Sequence, residues 1–463
     1  MKGRELQNLG IPKGPKVKLA MRLLRGAAES GLKKREIRAH LKEVVAAPAD
    51  HTEHPYFSDL ARALCTPDEL DFIERAEPAP WKQWGTDLDD QAIKQINNAC
   101  RLPVSVAGAL MPDAHTGYGL PIGGVLATEN AVIPYAVGVD IACRMKMTVL
   151  DMPAQALKGE KQRLINVLED ETAFGIGASF RKPHDHEVMD QDWNITEVTR
   201  NMKGKARSQL GSSGSGNHFV EFGTLTLTKD DLGLKAGTYL ALLSHSGSRG
   251  PGANVASHYS KLAQALHPEL PKELKHLAWL DMDSEEGQEY WAAMNLMGDF
   301  AAANHAVIHR EIVRALGAKA LADVENHHNF CWQEIHDGRE VYVHRKGATP
   351  AGEGVLGIIP GSMATPGYVV RGKGNAASLE SASHGAGRVM SRRKANESFR
   401  WSDVKKFLKE RDVTLISAGL DENPGVYKDI DQVMGAQEDL VDTVARFDPK
   451  IVKMAPAGER PED

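Results

Sequence analysis

The chain is short of cysteine, of long apolar runs and of net charge. Its four cysteines, Cys65, Cys100, Cys143 and Cys331, are scattered through 463 residues with no Cys-x-x-Cys pair. That spacing argues against a disulfide scaffold or a zinc ribbon, and a lone local cysteine is too few for an iron–sulfur cluster. No apolar stretch approaches the ~20 residues that a membrane span needs. Met1-Lys2-Gly3-Arg4 is not followed by the apolar segment of a signal peptide. Reduced thiols without an export or membrane segment make the cytoplasm the expected compartment. The formal charge is only −6, from 56 basic and 62 acidic residues. This speaks against nonspecific coating of nucleic acid, but not against a local basic channel. There is no internal repeat and no low-complexity tract. A content of 42% hydrophobic and 25% charged residues is that of a folded globular protein.

The texture changes along the chain. Residues 1–80 are rich in Lys, Arg, Leu and Ala and poor in Gly. The spacing of Val17, Leu19, Met21, Leu23 and Leu24, then of Ile37, Leu41, Val44 and Val45, predicts two short amphipathic helices. This basic extension reads either as an RNA- or ribosome-facing appendage or as a solvated helical face, the second being the more economical. From about residue 85 short apolar runs alternate with glycine-dense loops. Residues 136–150 predict a loop entering a strand, and residues 238–244 and 340–344 predict strands. Glu286 to Leu316 carries no proline and has helical spacing through Trp291, Met294, Met297, Ala301, Ile308 and Ile312, which predicts a long packed helix. Residues 429–447 predict a shorter helix with an acidic face. Residues 456–463 form a polar tail.

Chemistry-bearing side chains concentrate in the glycine-rich loops, where backbone can approach a ligand closely. These are Met111–Gly119, Gly138–Arg144, Gly214–Glu221, Ser244–Gly250 and Asn326–Asn329. Asp140 and Cys143 are three apart, so a single turn can present both to one metal. Thiolate, carboxylate and several imidazoles together suit a divalent transition metal, and a thiolate can bridge two ions. Any one histidine alone is more often a satisfied core or surface residue. Further on, residues 344–350, 360–368 and 383–393 crowd basic groups, hydroxyls and backbone amides, the ingredients of a phosphate cradle. His384 among small residues reads equally as a nucleophile toward phosphorus or as the capping residue of a solvated loop.

These loops resemble those of the RtcB family of RNA ligases. The motifs are Asp113-Ala-His-Thr-Gly-Tyr-Gly-Leu-Pro-Ile-Gly-Gly124, Gly138-Val-Asp-Ile-Ala-Cys-Arg-Met145 and Gly214-Ser-Gly-Asn-His-Phe-Val-Glu221. They continue through His245-Ser-Gly-Ser-Arg-Gly250, His327-His-Asn329, His344-Arg-Lys-Gly-Ala-Thr-Pro-Ala351 and Ser383-His-Gly-Ala-Gly-Arg-Val-Met-Ser-Arg392, in the family's order over residues 85–455. The resemblance implies an α+β fold, a mixed-sheet core with one deep central cleft, to which residues 1–80 add a helical extension. It implies joining of an RNA 3′-phosphate or 2′,3′-cyclic phosphate to a 5′-hydroxyl, with GTP and two Mn²⁺ ions. Cys143 would bridge the ions. Asp140 and His218 would complete one ligand set, and His245 and His328 the other. His384 would carry GMP. Asn217, Arg249 and Arg388 would contact phosphates, Glu221 and Lys453 the guanine, and Lys346 would stand in the nucleotide pocket.

The implied partner is RNA with those ends, from tRNA or rRNA. The resemblance leaves room for an activating accessory protein, and a monomer is expected. Three departures from the family stand out: the long start, Gly367 where many members place serine, and the residues beyond Lys453. Two other classes of function remain open on sequence. One is a two-metal phosphodiesterase or phosphatase without GTP, for which His384 would be superfluous. The other is a non-catalytic RNA- or ribosome-binding protein, for which five retained candidate ligands would be unexpected.

Overall fold

Beyond residue 80, strand-forming runs and glycine-rich turns alternate with helices. A computed structural model of the protein describes residues 3–12, 15–65 and 74–459. It divides into two units, one of residues 1–73 with 264–272, the other of residues 74–263 with 273–463.

The first unit contains the helices Gly3–Gln7, Pro15–Glu29, Lys34–Ala46 and Ser58–Cys65. Val17, Ala20, Leu24 and Ala27 recur at helical spacing and are buried with Ile37, Leu41, Val44, Phe57 and Leu60 in a core of their own. Met21 points outward, and Lys34, Arg35, Arg38 and Lys42 lie on the exposed face.

The second unit is an α+β assembly around two sheets. Its principal strands are Trp81–Gln83 (β1), Ser105–His115 (β2), Ile122–Thr128 (β3), Arg144–Leu150 (β4), Phe219–Leu227 (β5), Gly237–Ser246 (β6) and Ala320–His327 (β7). Asn329–His336 (β8), Arg339–Lys346 (β9), Leu356–Ile359 (β10), Gly367–Gly372 (β11), Thr414–Ser417 (β12) and Val441–Met454 (β13) follow. The smaller sheet has the order β1-β2-β3-β9-β8, and the larger β10-β11-β13-β5-β6-β4-β7, with β12 pairing parallel to β13. The amide of Ile358 in β10 donates to Asn326 Oδ1 in β7 at 2.9 Å, so the two edges of the larger sheet nearly meet. One face of that sheet buries Met145, Met147, Val149, Leu243, Val369 and Phe447. The other packs Val220, Phe222, Leu240 and Leu242 against Leu164, Leu168, Ile308, Ile312 and Leu316, as period-two alternation requires. The last three belong to the expected long helix, Glu285–Leu316, which Ser284 caps and Gly317 ends.

The helix expected over 429–447 is corrected. Only Ile430–Gly435 is helical, and Val441 onward is the 14-residue strand β13. Gly435 favours the end of the helix, and the β-branched, alternating Val441-Asp-Thr-Val-Ala-Arg-Phe447 run pairs with β5 and β11. Of the tail, residues 460–463 lie outside the described residues. Among the described residues no helix is long and apolar enough to cross a membrane.

Candidate active site

Sheet register gathers the candidate ligands at one end of the larger sheet. Arg144, the first residue of β4, pairs with Ser246 at the end of β6 and with His327 at the end of β7. Phe219, the first residue of β5, pairs with His245. Cys143, His218, His245 and His328 therefore fall on adjacent strand ends although up to 185 positions separate them in the chain. The turn before β4 adds Asp140, whose carbonyl accepts from the Cys143 amide at 3.2 Å.

Two ligand groups result, sharing the thiol: Asp140, Cys143 and His218, and Cys143, His245 and His328. Cys143 Sγ lies 3.4 Å from His218 Nε2 and 3.1 Å from His245 Nε2. His245 Nε2 lies 3.2 Å from His328 Nε2, and His218 Nε2 is 3.1 Å from Asp140 Oδ2. Atoms that ligate one ion at about 2.0–2.3 Å stand roughly this far apart. Asp140 Oδ2 is buried against His218 Nε2, where one cation would take both atoms. His245 Nδ1 lies 3.1 Å from the carbonyl of Asn217. A proton on Nδ1 satisfies that contact and leaves the Nε2 lone pair for a metal. Burial, with the neighbouring His218, pushes His245 down to about 3, and burial takes His328 well below the ordinary range. Both are neutral at pH 7, as ligation needs. Burial opposes ionisation of Asp140, yet His218, Cys143 and the Arg249 charge together hold its carboxyl below the usual value. The donor set fits a pair of divalent transition ions bridged by the thiolate. Gly247 packs directly on Asp140: a Cβ there would stand 2.1 Å from Oδ1.

His384 stands beside this cluster, its ring 5.0 Å from that of His328. Its Nδ1 is 2.7 Å from Oδ2 of Asp113, which also accepts from the amides of His384 and Gly385 at 3.2 Å each. Asp113 is fully buried. A carboxylate accepting from Nδ1–H fixes the tautomer and leaves Nε2 as the nucleophilic atom. The loop can approach Asp113 because Gly387 has φ +77° and a Cβ there would lie 2.1 Å from the Asp113 carbonyl. Asp113 was not among the sequence-derived site residues, and neither was His115. The latter lines the same cleft, and burial pushes its imidazole down to about 4. Both sit in the Asp-Ala-His loop that the sequence marked, but nothing in their local pattern announces a contact 271 positions away.

The cleft holds about 810 Å³ and is lined by Asp140, Cys143, His218, His245, His328 and His384, and by Asn217, Glu221, Lys346 and Arg388. Burial raises the Glu221 carboxyl well above its ordinary value and pushes the Lys346 ammonium down to about 7. Lys346 Nζ donates to the carbonyls of Tyr118 and Tyr135 at 2.6 and 3.1 Å. Arg388 bonds to the Asp421 carbonyl at 2.8 Å and pairs with Glu422 at 3.4 Å. Gly367 also lines the cleft; a Cβ there would stand 3.2 Å from Pro360 Cα.

Two expected residues are not brought to the wall. Arg249 is buried, and its guanidinium donates to Ser212 Oγ at 3.1 Å and to the Gly175 carbonyl at 2.6 Å. Lys453 turns away from the cleft while Val452 and Met454 face it. Its ammonium caps the C-terminal end of helix Lys161–Glu171 through the carbonyls of Leu168, Glu169 and Thr172 at 2.9–3.3 Å. The cause is the register shift between Pro449 and Ile451 in β13, which exchanges the two faces of the strand.

Comparison with known proteins bears on this geometry. A family profile described as tRNA-splicing ligase RtcB matches residues 95–454. The chain belongs to the RtcB family. It is similar to the RNA-splicing ligase RtcB of Escherichia coli K12, with 34% identity over 399 residues, covering 80% of this chain and 95% of that one. The tRNA-splicing ligase RtcB of Nanoarchaeum equitans is 32% identical over 440 residues, covering 79% and 91%. That of Thermococcus kodakarensis is 30% identical over 435 residues, covering 78% and 90%. The RtcB match takes in every ligand candidate, Asp113 and His384, and leaves out the first helical unit up to residue 73.

Proposed function

We propose that this RtcB-family chain is a GTP-dependent RNA ligase that joins a 3′-phosphate or 2′,3′-cyclic phosphate end to a 5′-hydroxyl end. The observation that carries the reading is the Asp113–His384 pair beside two candidate ligand groups that share Cys143. A carboxylate-oriented imidazole can also serve a hydrolase as a general base, so the pair favours the ligase reading together with the RtcB family match, and a passive binding protein has no need of either element. Two divalent ions, Mn²⁺ by family resemblance, would be held by Cys143 with Asp140 and His218 on one side and His245 and His328 on the other, and would supply positive charge against the phosphates.

His384 Nε2 attacks the α-phosphorus of GTP, forming a phosphorus–nitrogen bond as diphosphate leaves. Asp113 keeps the proton on Nδ1 and stabilises the charge that develops on the ring. An RNA 3′-phosphate oxygen then takes the GMP from His384, giving an RNA 3′-end capped through a diphosphate. The 5′-hydroxyl attacks the RNA phosphorus, GMP leaves, and a 3′–5′ phosphodiester remains. A cyclic phosphate is first opened by water to the 3′-phosphate. Asn217, Lys346 and Arg388 line the cleft where phosphates would lie, and Glu221, whose carboxyl burial shifts upward, lines it where a base edge could be read. The RNA is expected to be tRNA or rRNA bearing these ends, with an accessory protein compatible with turnover.

The reading is tested by incubating an RNA with a 3′-phosphate and a second RNA with a 5′-hydroxyl with the protein, Mn²⁺ and GTP. A joined product that requires GTP is expected. Loss of the 3′-phosphate without joining, independent of GTP, would replace the ligase reading by the phosphatase one.

A further inference from the structure

The rim of the cleft carries an aromatic group that the reaction above does not use. Tyr118 is 67% exposed, unusually so for a large side chain, and lines the cleft that holds His384 and the ligand cluster. Its loop is not loose. The Thr116 amide donates to Asp89 Oδ2 at 3.2 Å, and the Thr116 hydroxyl donates to the same oxygen. Gly117 exchanges two hydrogen bonds with the Gln95 amide group, at 3.0 and 2.6 Å. The Tyr118 carbonyl takes the Lys346 ammonium at 2.6 Å. The ring itself is propped by near-perpendicular contacts with Tyr135 and His276, at centroid distances of 6.3 and 5.6 Å and interplanar angles of 77° and 65°. A rigidly displayed, largely exposed aromatic ring beside a cleft rich in phosphate-binding groups matches what single-stranded nucleic acid requires. Its phosphates enter the charged site and an unstacked base needs a π-face.

We infer that Tyr118, propped by Tyr135 and His276, is a stacking platform for a base near the RNA end entering the cleft. The inference rests on the ligase reading above. Stacking is indifferent to base identity, because every base has a π-face. Tyr118 thus contributes affinity and registers the terminal phosphate against the site without selecting a sequence.

The test measures binding of a short fluorescent single-stranded RNA with a 3′-phosphate, in the presence of Mn²⁺, to the full chain and to Tyr118→Ala and Tyr118→Phe. A parallel series of the same RNA replaces each of the last three nucleotides in turn by an abasic residue. Tyr118→Ala is expected to weaken the intact RNA about tenfold, within the range for loss of one base–aromatic stack, while Tyr118→Phe binds as wild type. For one abasic position the difference between wild type and Tyr118→Ala should vanish. Equal binding by wild type and Tyr118→Ala overturns the inference. So does an equal loss on every abasic RNA, which would mark a structural role. Covalent labelling of the wild type by α-labelled GTP separates the two readings. Label without a Tyr118 effect removes the platform alone, whereas absence of label removes the ligase reading itself.

Discussion

Replacing Asp113 by Asn tests whether the orientation of His384 limits the first chemical step. One oxygen of the Asp113 carboxylate faces three donors, the His384 ring nitrogen at 2.7 Å and two backbone amides at 3.2 Å. Asn has the same shape but no charge and a single acceptor oxygen. If that oxygen keeps the ring contact, the loss is that of a charge-assisted hydrogen bond, about 1.5–3 kcal/mol, which slows guanylylation roughly tenfold to 150-fold. If the amide nitrogen turns toward the ring, the proton is driven to Nε2, and the loss approaches the ~10⁴-fold seen when an analogous orienting carboxylate is neutralised in serine proteases. The assay is single-turnover formation of protein-bound GMP at saturating GTP and Mn²⁺, with metal content measured in parallel. A slow variant with full metal content supports the argument. A wild-type rate, or a loss of rate tracking a loss of metal, would refute it.

Three further outcomes are expected. Gly247→Ala forces a methyl group into the space of the Asp140 carboxylate and should lower bound metal, read by elemental analysis, while the thermal unfolding transition stays cooperative. Lys346 has a folded pKa of about 7, below its unfolded value. The unfolded chain therefore binds more protons between these values, and stability should rise with pH above 7, by at most about 1.4 kcal/mol per unit; Lys346→Met should flatten that rise, and GTP binding should weaken over the same window in wild type only. Glu334 grips the buried Arg345 at 2.6 and 3.0 Å. Against the opposing effect of burial, Arg345 holds its carboxyl below the ordinary value, so this stabilisation is present above pH 4.5 and disappears as pH falls through the folded value. Glu334→Ala should lower stability in denaturant titrations by about 3–5 kcal/mol, because Arg345 is left buried and unpaired.

The ligand loops were legible because each is a run of unusual polar residues at one end of an apolar strand, either before or after it, and strand ends in an antiparallel sheet converge. The long helix was legible from its spacing. Asp113 was not, because its partner is fixed by how two loops meet rather than by local pattern. The guanine role of Lys453 comes from the family resemblance; here one bulge in β13 turns its side chain from the cleft, and a bulge leaves little trace in sequence beyond Pro449. Residues 429–447 misled because acidic side chains at helical spacing also suit the exposed face of a strand. The phosphate role of Arg249 is what the family resemblance implies, while Ser212 and the Gly175 carbonyl engage its guanidinium here.

The most direct test of the account is the covalent intermediate. The protein is incubated with Mn²⁺ and α-labelled GTP, denatured, and the labelled peptide is mapped. The account predicts an acid-labile GMP on His384 that is absent from His384→Ala while that variant keeps its metal. No label on protein shown to hold Mn²⁺, or a label on another residue, would contradict it.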